Sequence, residues 1–267
     1  MLRLFKADIR RLIKDKTFYV MLAVIALYSS LICIVFHLFD LNAESKSTID
    51  RIILQCVSLA MLGTFSGVAI SIYNGKEYAH NTIRNKISCG HSRHSIYLAF
   101  LIENLLLATL FMLLAAVVPV LFGFFFFDFT IAEGFYEKFF SQYALLLGFV
   151  SLITCLVNLS KSMRVPLITT VILFVVLNAL AAFLPQISDS FLIKGLCRGV
   201  YLVLSNLVNE AVDGVYTVNI AQRTEDGFRV VQVVYDNIYL NAILLGASYL
   251  FASISISLFL LPKLNYK

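Results

Sequence analysis

The sequence predicts an all-α integral membrane protein, a single transmembrane domain over residues 1–267 with six spanning helices. Three observations predict it. Hydrophobic residues make up 60% of the chain and charged residues 14%, against roughly 45–50% and about 25% in soluble domains; too little polar surface is left to cover a water-soluble fold. The apolar residues gather in six runs near the ~20 residues that cross ~30 Å of hydrocarbon. The basic residues crowd one alternate set of the segments between those runs.

The first element, Leu2–Asp15, is an amphipathic helix within an interfacial segment 1–17. Leu2, Phe5, Ile9, Leu12 and Ile13 recur at helical spacing, and Arg3, Lys6, Arg10, Arg11 and Lys14 fill the other side. Such a helix lies along the membrane surface with its basic face toward anionic headgroups. It is not expected to be a cleavable leader, because the apolar run behind it is too long and no small-residue cleavage site follows.

The spans are then 18–39, 52–73, 96–119, 143–159, 166–184 and 238–261. The third run continues to Phe127, and Pro119 is expected to kink it, leaving Phe122–Phe127 at the outer interface. With the N-terminus inside, the inner segments carry fourteen basic residues and the outer ones seven. That is the positive-inside bias, so both termini are expected in the cytoplasm of a cell bearing this chain in its plasma membrane.

Residues 185–237 form the largest outer segment. Phe191–Val212 is apolar at helical spacing but contains Lys194 and Arg198, each costing about 2.5–3.5 kcal/mol at a bilayer centre. An interfacial helix is expected there rather than a seventh span. Val215–Gln222 and Phe228–Tyr235 are β-prone runs around Asp226-Gly227, a hairpin signal.

The five cysteines, Cys33, Cys56, Cys89, Cys155 and Cys197, offer no disulfide framework or metal spacing. The net charge of +5 sits mostly on one side, which suits membrane orientation and not nucleic-acid binding. No phosphate-binding GxxxxGK[ST], HExxH or GxSxG occurs. The chain is therefore not expected to be an enzyme, and nucleotide-driven work would need a site on another chain.

The most specific segment is 74–95, expected inside between the second and third spans. Tyr78, Ile83 and Ile87 make an apolar stripe among charged residues, and Gly90 reads as a helix C-cap. A short one-sided helix held between two spans suits docking into a partner's groove. Glu103 is the carboxylate inside a proposed span, a costly placement that marks a functional or ion-pairing site. Gly63 and Gly67 form a small-xxx-small pair for close helix packing, within the chain or across a dimer.

At this inner segment the chain resembles the permease subunit of ATP-binding-cassette exporters of the second type. Members carry a loop similar to E-x-x-x-G-T-I-R-N-K-x-x-x-G-x-S-R-x-x-I-Y, present here as Glu77, Thr82-Ile83-Arg84-Asn85-Lys86, Gly90, Ser92-Arg93 and Ile96-Tyr97. Asn81 replaces the usual glycine and keeps a residue tolerant of left-handed backbone. The motif covers about 20 residues, and the amphipathic start, six spans and outer region extend the likeness along the chain. The resemblance implies a pair of permeases, identical or paralogous, embedded in membrane lipid and docked on two ATPase subunits. ATP and Mg would sit on those partners, with no cofactor on this chain. It makes Glu77–Arg93 the coupling helix and points to a hydrophobic or amphipathic substrate such as a peptide, in a bacterial membrane. The rival reading is a secondary transporter using Glu103 as a proton-linked carboxylate; a membrane-embedded enzyme or assembly protein is a third.

Overall fold

A computed structural model describes residues 2–40, 49–126, 133–187, 200–224 and 227–260. Helix α1 (Leu2–Lys14) leads into α2 (Lys16–Asp40). The junction is Asp15, whose carboxylate accepts the Thr17 amide at 2.9 Å and so caps the start of α2. Along α2, Ile25, Ser29 and Cys33 are buried at four-residue spacing, while Leu27, Leu31, Leu38 and Phe39 are exposed. A helix with one narrow buried stripe and an otherwise apolar surface is suited to lipid.

The second span is interrupted. Helix α3 (Ile49–Val57) ends at Ser58, which is extended (φ −53°, ψ 138°), and α4 (Leu59–Ala79) begins after it. Continuous hydropathy across 52–73 hides this break. The freed Leu59 amide donates to Gln142 Oε1 at 3.4 Å, as irregular backbone at membrane depth requires an internal partner.

Helix α5 (Thr82–Ser88) turns back toward α6 (Arg93–Phe126). Helix α6 is one 34-residue helix with Pro119, the expected kink position, inside it. A proline removes one backbone hydrogen bond and adds a clash, and the long apolar flanks of α6 carry the helix through it. Helix α7 (Phe135–Ser160) starts two turns before the apolar run, because its first turns hold Glu137, Lys138, Ser141 and Gln142. Helix α8 (Arg164–Ile187) takes Pro166 in its first turn, where no amide partner is lost.

Of the Phe191–Val212 reading, residues 191–199, with Lys194, Cys197 and Arg198, lie outside the described residues. The remainder is α9 (Tyr201–Glu210), ten residues long, about 15 Å at 1.5 Å per residue and too short to span. Strands β1 (Tyr216–Thr224) and β2 (Gly227–Tyr235) form the expected antiparallel hairpin, with Tyr216 opposite Tyr235 and Thr224 opposite Gly227. Helix α10 (Ile238–Leu260) closes the described chain.

Among the described residues five helical stretches are long and apolar enough to cross a membrane: Lys16–Phe39, Ile49–Ala79, Arg93–Phe125, Phe135–Ser160 and Ile238–Leu260; Arg164–Val176 is a shorter apolar stretch. This is the pattern of a helical multi-pass membrane protein. Helix α7 lies at the centre, packed on α4, α6, α8, α9 and α10. Leu62, Ile70, Phe111, Leu145 and Val150 fill the core around it.

Two close approaches depend on glycine. A Cβ on Gly246 of α10 would lie 2.3 Å from the Ala144 carbonyl oxygen, so α10 meets α7 backbone to backbone. A Cβ on Gly67 would meet the Thr170 methyl at 2.6 Å, and one on Gly63 would sit 3.4 Å from Phe149. The Gly63–Gly67 face therefore packs within the chain, against α7 and α8.

Candidate functional site at the α4–α5 corner

The residues singled out by the inner motif converge on the corner where α4 ends. Two left-handed residues shape it. Asn81 (φ 55°, ψ 21°) reverses the chain between α4 and α5, a conformation that asparagine tolerates better than most residues. Gly90 (φ +86°) ends α5. Its amide bonds the Ile87 carbonyl at 2.9 Å and the His91 amide bonds the Lys86 carbonyl at 3.2 Å, the paired closure that glycine permits at a helix end.

Glu77 is the centre of the corner. It is 4% exposed. One oxygen accepts from Arg11 of α1. The other is reached by the Thr82 hydroxyl and lies 3.2 Å from Lys86 Nζ. The Thr82 hydroxyl is also 2.8 Å from the Glu77 carbonyl, which ties the first turn of α5 to the last turn of α4. Lys86 stands 2.9 Å from Asp8 Oδ1 and 4.5 Å from the centre of the Phe100 ring. Lys76 holds both Asp15 oxygens at 3.0 Å and the Thr17 hydroxyl at 2.6 Å. The N-terminal segment is thus clamped to α4 and α5 by the Arg11–Glu77, Lys76–Asp15 and Lys86–Asp8 pairs, and the Lys86–Glu77 pair ties α5 to α4.

The acids of α1 differ in environment. Burial pushes the Asp8 carboxyl above its usual range, with Lys86 pulling the other way. Burial acts upward on Asp15 too, but the Thr17 amide and the Lys76 ammonium outweigh it and hold the group below its usual range. Burial, reinforced by the charge of Arg93, also holds the Lys161 ammonium below its usual range.

Glu103 of α6 lies beneath this clamp, 1% exposed. Among the described residues neither of its oxygens completes a hydrogen bond of standard geometry. Asp8, Tyr73, Lys86 and Glu77 are the groups that act on it electrostatically. The Tyr73 hydroxyl donates to the Asp8 carbonyl at 3.2 Å, and Asp8 Oδ2 and both polar atoms of the Asn74 side chain have no hydrogen-bond partner among the described residues. The corner thus holds surplus buried acceptors above its cations.

The apolar stripe turns inward. Ile83 is 4% exposed and packs on Ile96 and Phe100 of α6, with Tyr78 and Ile87 at the edge of the same cluster. The reason is geometric: an αL reversal at Asn81 lays α5 back on the start of α6, so the face opposite the charges meets α6 first. What α5 leaves exposed is polar: Asn81, Arg84, Asn85, Ser88 and Cys89. Ser92 is exposed and Arg93 half-buried.

The contribution of α1 was not legible as a site. Its basic residues read as membrane contacts, yet the side meeting the bundle is Asp8, Leu12 and Asp15. Their spacing of four and three places them on one helix face, and both acids of the helix fall on it, a signal available in the sequence. No group of three or more His, Cys, Asp or Glu residues arranged to hold a metal occurs among the described residues. The sequence matches no protein-family model and no curated protein.

Proposed function

We propose that the chain is the membrane-spanning subunit of an ATP-driven exporter, with ATP hydrolysed on a separate partner that docks on α5. The observation that carries this reading is the mounting of α5. It is a short helix fixed at both ends by left-handed residues, seated on α6 through Ile83 and bound to α1 and α4 through Thr82 and Lys86, with Arg84, Asn85 and Ser88 facing outward. An element that transmits force needs a stiff connection to the spans and a free polar face for its partner. The resemblance of the 77–97 segment to exporter permeases agrees with this mounting. In this reading the protein has six spans in a bacterial plasma membrane with both termini cytoplasmic, and works as a pair of permeases with two ATPase subunits. Its cargo is a hydrophobic or amphipathic peptide.

Co-purification with the cognate ATPase tests the reading. Arg84→Ala should weaken capture by about tenfold or more without altering membrane insertion. Full capture by Arg84→Ala and Asn85→Ala together would refute docking through α5.

A second reading, a proton-coupled transporter, is favoured by two observations: Glu103 is a carboxylate only 1% exposed with no ion pair among the described residues, and the second span is broken at Ser58. Broken helices are common at transporter binding sites. Transport in proteoliposomes driven by a proton gradient in the absence of any ATPase, and abolished by Glu103→Gln, would select it.

A further inference from the structure

At the end of the bundle opposite α5, α3, the first turn of α7 and the second half of α9 line a half-open cavity of about 610 Å³. Its polar walls include Asp50, Arg51, Lys138, Asn206, Asn209 and Glu210. The volume falls in the ~300–1,000 Å³ range of small-molecule sites, whose walls are usually apolar. Walls this polar select a hydrophilic occupant.

The cavity carries two acids and two bases, yet among the described residues no ion pair within 4.0 Å joins any of them. Asp50 is 8% exposed and its Oδ1 has no hydrogen-bond partner among the described residues. The Lys138 ammonium makes a long contact of 3.4 Å with the Asn209 carbonyl. Arg51 and Glu210 are exposed and Lys138 is half-buried, so the cost falls on Asp50, a desolvated and incompletely satisfied carboxylate that a cationic group in the cavity would relieve. A simple cation would leave Lys138 and Arg51 unmatched, and a simple anion would leave Asp50 unmatched.

The walls are also fixed in place. Gln142, which receives the freed Leu59 amide at the Ser58 break, donates to the Ser205 carbonyl at 2.8 Å and to Asn209 Oδ1 at 3.0 Å, and accepts from the Ser205 hydroxyl at 2.7 Å. The interruption of the second span and the cavity thus share one hydrogen-bond network.

We propose that this cavity binds a zwitterionic group, its primary ammonium on Asp50 and Glu210 and its anionic end on Arg51 and Lys138. The assignment stands on the cavity and does not depend on ATP coupling at the other end of the bundle. The same pair of charges occurs in a small soluble zwitterion and in the headgroup of a bilayer lipid.

Calorimetric titration of the purified full-length chain in phosphatidylglycerol nanodiscs tests it, with glycerophosphoethanolamine as probe. Saturable binding is expected, with ethanolamine and glycerol 3-phosphate, each carrying one of the two charges, weaker by about tenfold or more. Asp50→Asn, Lys138→Gln and Glu210→Gln should each weaken the zwitterion; Glu210 is exposed, so its replacement does not threaten the fold. Replacing half of the phosphatidylglycerol by phosphatidylethanolamine distinguishes the sources. Loss of probe binding makes the bilayer headgroup the occupant, and unchanged binding makes it a soluble zwitterion. Absence of saturable binding, equal binding of the probes that carry charge of one sign only, or undiminished binding by Lys138→Gln and Glu210→Gln would overturn the proposal.

Discussion

Replacing Lys86 by methionine keeps most of the side chain's volume and removes its charge. The ammonium is 10% exposed, 2.9 Å from Asp8 and 3.2 Å from Glu77, whose side chains are 4% and 5% exposed. Glu77 keeps Arg11, but Asp8 is left as a buried carboxylate with no ion-pair partner. Removing one member of a buried pair costs about 3–5 kcal/mol, because the remaining charge is uncompensated. For a chain of this size, about 2–4 °C per kcal/mol gives a midpoint lower by roughly 6–20 °C. Thermal unfolding of purified protein, followed by scanning fluorimetry in one detergent, measures it. The second half of the test is Asp8→Asn combined with Lys86→Met. If the penalty lies in the stranded charge, the double variant recovers stability over the single, a coupling of about 0.5–3 kcal/mol. An unchanged midpoint for Lys86→Met, or a double variant as unstable as the sum of the singles, would refute the claim that this ion pair holds α1 on the bundle.

The two acids of α1 should titrate with opposite sign. Asp15, held below the ordinary aspartate value of 3.8, contributes stability above that pH that is lost as pH falls through its lowered value; Asp8, raised above 3.8, contributes most below 3.8 and less as pH rises through its folded value. Midpoint-against-pH curves of Asp15→Asn and Asp8→Asn should flatten these two limbs separately. Gly246→Ala should destabilise by about 1–3 kcal/mol, because its Cβ meets backbone, whereas Gly63→Ala meets the flexible Leu59 methyl at 3.1 Å and should change the midpoint far less. With Cys197 replaced by serine, a membrane-impermeant maleimide should label the exposed Cys89 after permeabilisation and not in intact cells, since Cys33, Cys56 and Cys155 are buried; labelling of intact cells would reverse the proposed orientation.

Apolar run length located the helices well, since in lipid every backbone group must bond within its own segment. Where it misplaced a boundary, polar residues facing the interior were responsible. Gln142 and Ser141 shortened the fourth run although both are fully buried. Ser58 did not interrupt the second run because a single serine scarcely lowers its hydropathy. At the corner, the left-handed position at residue 81 and the closure at Gly90 were legible from residue type. The inward turn of Ile83 was not, because it depends on where α6 begins relative to α5. The partners Asp8 and Arg11 lie 66 or more residues from Glu77 and Lys86, a separation that no local pattern reports.

The backbone contact at Gly246 restricts how such a molecule can move. Packed helices shear when an intervening layer of side chains changes rotamer; where carbonyl meets Cα there is no such layer. Helices α7 and α10 must travel as one body, like two planks glued edge to edge. Any gating motion has to open along another seam, such as the stripe of Ile25, Ser29 and Cys33 along which α2 meets the bundle.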